Sequence, residues 1–539
     1  MSFKFFQFAF LLLLPIHVAS QTFALEDILS APYCSDLTKS ADGKSIAWIN
    51  NERGIRTIYT ANTSDFKGIP VFSTQVDDGQ VISSLKFSKN RKHLYFFHGS
   101  GPNRAGEAAN PLSSITSPKR LIKRIDLENH KIDAAGAFSN FTLSTDDKFL
   151  LIAKGNQLFK FDCETFKKEV LITMRGTFSN VRFSPDTKSI VFVSNRGDHS
   201  YIGTYTFGDD RIRWVAAGVD KDILPQWSPD GNQIVFIRTP GTRKGELRNI
   251  TGGIPFEIII ADLESNSSNI IWKSPADDGG FAQYYPSNPI LCTKSGKIIF
   301  YSEHEGWMKI YSMDADGNNL TSVILGDCEV EHSSLNASGT KVLFSTNCGD
   351  IDRRDIYEFN LNTNQLKQIT DTDLIETDPL YLDNDDIVFR SGGHNFPTRI
   401  DALGGGKTKT IFPRQLSSSY PIQDLVKPEQ VIFTAGDGTE IHGQLFTNGK
   451  SGNKPGVLFM HGGPIRQMLL GYHYSAYYAN AYAMNQYLAN RGYAVLSVNF
   501  RAGIGMVKLL EEQRIKGLAE HQSTRTSSLL GNICNNSTT

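Results

Sequence analysis

The residues of this chain best suited to chemistry by type and spacing lie in one short run, "KPGVLFMHGGP", residues 454–464. Val457 to Met460 reads as a buried strand, and it runs into His461-Gly462-Gly463-Pro464. Glycines leave the backbone bare, so an N–H there can come close to a carbonyl oxygen. A donor fixed at that place stabilises charge that develops in a transition state, worth about 3 kcal/mol. A plain glycine-rich turn with a structural histidine has the same local sequence.

That chemistry also needs a nucleophile and a base. No G-x-S-x-G elbow occurs in the chain. The nearest stretch, "GKSGN" from Gly449, lacks the final glycine and precedes His461. No catalytic serine, aspartate or histidine is therefore assigned. The twelve histidines show no paired ligand spacing, so no metal site is expected, and no cofactor. "SEHEGW" contains Glu303 and Glu305, which read as part of a structural repeat rather than as an amine-binding pair. Net charge is −1 with lysine and arginine scattered, which argues against a nucleic-acid surface.

The elements that must position the glycine loop come in two kinds. One phrase returns along most of the chain: "LTKSADGKSIAWINN" from Leu37, "LKFSKNRKHLYFFHG" from Leu85, "VRFSPDTKSIVFVSNRGD" from Val181 and "PQWSPDGNQIVFIRTPG" from Pro225 are the clearest copies. Eight phases are visible, at steps of about 40 to 66 residues. Each has a strand, a Ser-Pro-Asp-Gly-like turn and an apolar strand. Four short strands at that period are the signature of a propeller blade. A β-propeller of seven or eight blades is expected, with the longer steps as loop insertions. The rival is a β-sandwich array, which would not need this turn at this period.

Near Gln423 the pattern changes. "EQVIFTAGDGTEIHGQLFTN" reads as a hairpin. Strand, His-Gly-Gly loop, a helix ended by Gly492 and the strand "AVLSVNF" then follow, an order that predicts a parallel α/β sheet. In α/β-hydrolases the loop after the third strand supplies one backbone donor of the oxyanion hole.

A propeller joined to "HGGP" and "VNFRAGIG" resembles the prolyl oligopeptidase family of serine peptidases (family S9), nearest its acylaminoacyl-peptidase and dipeptidyl-peptidase branches. "NRGDHSYIG", "SEHEGWMKIYSMDADG" and "NCGDIDRRDIYEFNL" share the look, which extends over roughly Phe23 to Gly505. The resemblance implies a propeller followed by the N-terminal fragment of an α/β-hydrolase domain. It implies hydrolysis of short peptides through an acyl-enzyme, with peptide substrates or ligands as partners. Of the family's site, only the oxyanion-hole loop carries over, to His461, Gly462 and Gly463. The Ser-Asp-His triad lies after the region resembled, so the chain as written is expected to be inactive. The alternative is a secreted, non-enzymatic propeller that binds a peptide or protein partner.

The expected boundaries are a signal peptide at 1–20, an N-terminal segment at 21–36, the propeller at 37–415, a partial hydrolase domain at 416–505 and an aberrant tail at 506–539. Lys4, the apolar run Phe5 to Leu14 and small residues before Gln21 predict secretion, with no membrane association after cleavage. The family pattern after "RAGIG" continues Tyr-Gly-Lys-Ala-Phe, whereas this chain has "MVKLL" from Met506. Bases reading Tyr-Gly-Lys-Ala-Phe give Met-Val-Lys-Leu when the first is dropped. A frameshift is therefore expected just after Gly505, with a natural short isoform as the alternative. Of six cysteines, Cys328 and Cys348 are the best candidates to pair, against the alternative of buried free thiols. Asn140 and Asn336 open glycosylation sequons if the export route is eukaryotic.

Overall fold

The computed structural model describes residues 23–500, apart from 104, 138–139, 242–252, 277–278, 283–287, 437, 450–451 and 463–465. The expected signal peptide, the 506–539 tail, Gly463 and Cys534 lie outside the described residues.

Among the described residues, eight four-stranded units follow one another, at 33–73, 82–137, 142–173, 177–215, 221–273, 290–322, 330–368 and 375–412. Each is an antiparallel meander paired in chain order. Successive units bury apolar faces against one another. Ala47, Ile49 and Ile58 of the first pack on Ile82, Leu94 and Phe96 of the second. The same holds around to the last pair, where Leu382, Val388 and Ile400 of the eighth pack on Cys34, Ile46 and Trp48 of the first. The Cys34 N–H donates to the Thr398 carbonyl at 2.8 Å across that seam. The ring is thus closed by packing, not by a shared strand, and the units are the blades of an eight-bladed propeller. Blade 1 begins at Tyr33, upstream of the first repeat phrase.

The repeat has a physical cause. In blade 1, Ser40 Oγ donates to Asp42 Oδ1 at 2.6 Å and accepts the Ser45 N–H at 3.0 Å. Ser184 with Asp186 and Ser228 with Asp230 build the same turn in blades 4 and 5. Gly43 and Gly231 take the positive φ that the turn requires. Cys328 and Cys348 are bridged, at the start of blade 7, while Cys34, Cys163 and Cys292 are free.

A second feature recurs without a sequence signature. The innermost strands of blades 1, 2, 4, 5, 7 and 8 each carry a bulge, with Asp36, Ser84, Asn180, Leu224, His332 and Asp378 at positive φ. Such bulges re-aim side chains, here along the inner wall of the ring.

After blade 8 come four strands, Glu429–Thr434, Glu440–Phe446, Gly456–Met460 and Ala494–Asn499, ordered first, second, fourth, third in one sheet. The last two are parallel, as expected. The hairpin extends the same sheet with antiparallel pairing, so the sheet is mixed. The helix Ala476–Asn490 connects the parallel strands and ends at Gly492, whose φ is 95°. Its Tyr482, Ala483 and Ala489 pack on Phe446 and Val495, and Phe23, Ile28 and Ala31 from the start of the described chain join that core.

Candidate functional site

The glycine loop leaves the sheet at His461, which is 3% exposed. Its ring stacks on Phe500 with centroids 4.4 Å apart and 16° between planes. Nδ1 lies 3.3 Å from the Gly462 carbonyl, which also accepts a 2.6 Å hydrogen bond from Tyr478 Oη. Burial pulls the His461 pKa below its ordinary value, so the ring is neutral. With the Nδ1 proton toward Gly462, Nε2 is a buried acceptor, and it has no partner among the described residues. A Cβ on Gly462 would meet nothing within 4 Å, so this backbone borders open space. Gly463 lies outside the described residues, so His461 and Gly462 are the members of the expected loop that are placed.

The segment that follows the loop, residues 467–474, is held against the propeller by a buried polar network that local sequence patterns did not reveal. Residues 351–354, ahead of the third strand of blade 7, reach into the C-terminal unit. Asp352 Oδ2 accepts from Gln430 Nε2 at 2.7 Å and faces His442 Nδ1 at 2.8 Å. Its Oδ1 accepts from Gln467 Nε2 at 3.2 Å. Asn499 braces the same segment, accepting the Met468 N–H at 2.6 Å and donating to the Met468 carbonyl at 2.8 Å.

Beside it, Arg354 Nε donates to Glu331 Oε2 at 2.6 Å, and its guanidinium also reaches Gln467 Oε1 at 2.9 Å. Tyr474 Oη donates to Glu331 Oε1 at 2.9 Å. Burial opposes ionisation of Glu331, but the Arg354 charge holds its carboxyl below the ordinary value. The Tyr474 carbonyl accepts from Tyr33 Oη at 2.5 Å and from Arg390 at 3.1 Å. His473, next in line, is pulled down to about 3 by burial and stays neutral. Blades 1, 7 and 8 therefore converge on residues 467–474, which lead from the glycine loop to the helix.

Glu303 and Glu305 are elsewhere. Glu305 pairs with Lys309 Nζ at 3.1 Å within blade 6. A serine–histidine–aspartate grouping does occur inside the propeller. His332 lies 3.3 Å from Ser345 Oγ and 3.7 Å from Asp378 Oδ1. Ser345 is wholly buried, so no substrate can reach it. Among the described residues, no group of His, Cys, Asp or Glu is arranged to hold a metal ion.

The site can thus present the bare backbone of Gly462 and a neutral histidine, in the unit that blades 1, 7 and 8 contact. Comparison with known proteins agrees with that architecture. Residues 256–381 match the family model "Dipeptidyl peptidase IV (DPP IV) N-terminal region". The structure of Porphyromonas gingivalis dipeptidyl peptidase 4 superposes with a TM-score of 0.63 at 15% identity, covering 90% of this chain and 74% of that one. A Mycobacterium tuberculosis puromycin-hydrolyzing peptidase gives 0.56 at 14% identity, covering 91% and 70%. An acylaminoacyl peptidase in complex with Z-Gly-Gly-Phe-chloromethyl ketone gives 0.54 at 15% identity, covering 90% and 68%. At these identities the likeness is one of fold. A curated relative, the Tol-Pal system protein TolB of Francisella tularensis, is 23% identical over 288 residues, half of this chain and 63% of its own length. The family resemblance read from the sequence is met in both the segment matched and the fold.

Proposed function

We propose that this chain is the propeller and the opening of the hydrolase domain of an exported serine peptidase of the prolyl oligopeptidase type, which acts on short peptides. The observation that carries the reading is the sheet that follows blade 8. Its strands run first, second, fourth, third, with the second antiparallel and a helix between third and fourth. An α/β-hydrolase sheet begins in this order, which supports reading the His461 loop, after the third strand, as the one where such enzymes keep an oxyanion donor. The buried contacts of Asp352 and Arg354 support a propeller that stands over this loop.

The sequence contains no G-x-S-x-G nucleophile elbow. In this reading the chain as written binds but does not hydrolyse, and residues from Met506 are out of frame. The test is to sequence the gene and transcript across the Gly505 codon and to express both forms. Restoration of one base is expected to yield Tyr-Gly-Lys-Ala-Phe, then a G-x-S-x-G, and a protein that releases p-nitroaniline from aminoacyl or dipeptidyl anilides. An uninterrupted frame in independent isolates, with no elbow downstream, would overturn the reading in favour of a non-enzymatic propeller.

A further inference from the structure

A cavity of about 310 Å³ lies between the linker from blade 1 to blade 2 and the segment 99–120, which joins the second and third strands of blade 2. That segment is a built cover. Gln80, which is buried, accepts the Ser100 N–H at 3.2 Å and donates to the Ala109 carbonyl at 3.3 Å. Asn110 closes a turn with Ser114, accepting its N–H at 2.9 Å and donating to its carbonyl at 2.7 Å. Gly79 has no room for a Cβ, which would lie 2.3 Å from Pro111 Cγ.

A chain of polar side chains lines it. Asp78 Oδ2 faces His98 Nε2 at 3.1 Å, and His98 Nδ1 faces Lys123 Nζ at 2.8 Å. An ammonium can only donate, so Nδ1 accepts and the ring proton sits on Nε2, toward Asp78. Burial and the Lys123 charge pull the His98 pKa below its ordinary value, so the ring is neutral. Asp78 is engaged on its other oxygen too, which accepts the Gln80 N–H at 2.9 Å and lies 3.8 Å from Arg56. Lys123 thus gives one of its three protons to a neutral ring. Among the described residues no carboxylate or carbonyl takes the other two, and the Phe72 ring stands 5.1 Å from the amine. Burial pulls that amine below the ordinary lysine range, and the Asp78 charge offsets this only in part. Lys119 lines the same cavity, and Leu112, Pro118 and Leu121 form its apolar side. Leu112 is 62% exposed, which places it at the mouth.

A partly desolvated ammonium with free donors attracts an anion. Apolar walls beside it favour one with an apolar body. Asp78, one imidazole away from Lys123, disfavours a second negative charge. We infer that this cavity binds a monocarboxylate with a short apolar chain, its carboxylate on Lys123 Nζ and within reach of Lys119, its chain against Leu112, Pro118 and Leu121. The cavity belongs to the propeller alone, so the inference does not rest on the peptidase reading.

The test titrates octanoate into the full chain by isothermal calorimetry at low salt, with octanamide and octyl phosphate as controls. Octanoate is expected to bind about tenfold more tightly than octanamide, the margin of a charge-assisted hydrogen bond over a neutral one. Lys123→Gln should erase that margin. Leu112→Asn, at the exposed mouth, should weaken both ligands several-fold and leave the margin intact. Lys119→Gln, also at an exposed position, should narrow the margin, and it decides the case if Lys123→Gln does not fold. No saturable binding of octanoate, or equal affinity for acid and amide, would overturn the inference. So would a margin unchanged in Lys123→Gln, or in Lys119→Gln where the first variant does not fold. Octyl phosphate binding more tightly than octanoate would overturn the choice of a carboxylate.

Discussion

Arg354 of blade 7 lies 2.6 Å from Glu331 in the innermost strand of the same blade, and the two side chains are 1% and 3% exposed. The same guanidinium also holds Gln467 of the C-terminal unit, so one buried charge serves both blade and junction. Removing one partner of a buried pair strands the other, at about 3–5 kcal/mol. Arg354→Met is therefore expected to lower stability by that order and to split thermal unfolding into two transitions. The double variant Arg354→Met, Glu331→Leu should recover most of the loss. Differential scanning calorimetry of the three proteins checks this. A single variant that unfolds like wild type would remove the network's structural role.

The His442–Asp352 contact makes the junction sensitive to pH. The Asp352 hydrogen bond, and less strongly Glu440, raise the His442 pKa above its ordinary 6.5. A histidine raised in the folded state contributes stability that is full below its unfolded value and is lost as pH rises through the folded one. The junction should thus loosen from about pH 6.5 upward. His442→Gln keeps a donor toward Asp352 but removes the titration. The expected outcome is a flatter plot of thermal midpoint against pH, with the difference from wild type largest at the acid end.

How much of this was legible in the sequence depends on range. The blades were, because Ser40, Ser184 and Ser228 each serve a turn closed within five residues. The helix end at Gly492 and the strand before His461 were legible for the same reason. The bulges were not: Asp36, Ser84, Asn180 and Leu224 share a backbone conformation but no residue type, since the closed ring imposes the twist. Nor was the junction, where Asp352 and His442 are 90 residues apart and nothing local marks either as paired. His461 was singled out by its glycines, but its orphaned Nε2 depends on Phe500 and Tyr478, which only the fold brings near.

The Cys328–Cys348 bridge closes a loop of 20 residues at the rim of blade 7. Cross-linking a loop of that size restricts the unfolded chain and adds about 3 kcal/mol. The paired variant Cys328→Ser, Cys348→Ser should unfold at correspondingly lower denaturant, with a slope equal to or slightly steeper than that of wild type because the unfolded chain is less restricted. Reducing agent should move wild type to the same midpoint and leave the variant where it is. If reductant shifts both equally, the effect does not come from the Cys328–Cys348 bridge.

Glu376, in the innermost strand of blade 8, is 1% exposed, and its Oε2 has no partner. Burial, with lesser help from the Asp355 and Asp401 charges, pushes its pKa up to about 7. The sign is opposite to that of a paired carboxylate. Folding favours the protonated form, so its contribution is full below the ordinary 4.5 and is lost as pH rises toward 7. Above that, the folded chain carries a buried charge with no counter-ion on the free oxygen. Glu376→Gln mimics the protonated state. It is expected to stabilise the protein by on the order of 2 kcal/mol near pH 8, and by close to nothing near pH 5. Urea denaturation at the two pH values measures the difference directly. A variant that is equally destabilised at both would mean that Glu376 is bound through its charge, and that the raised pKa is wrong in direction.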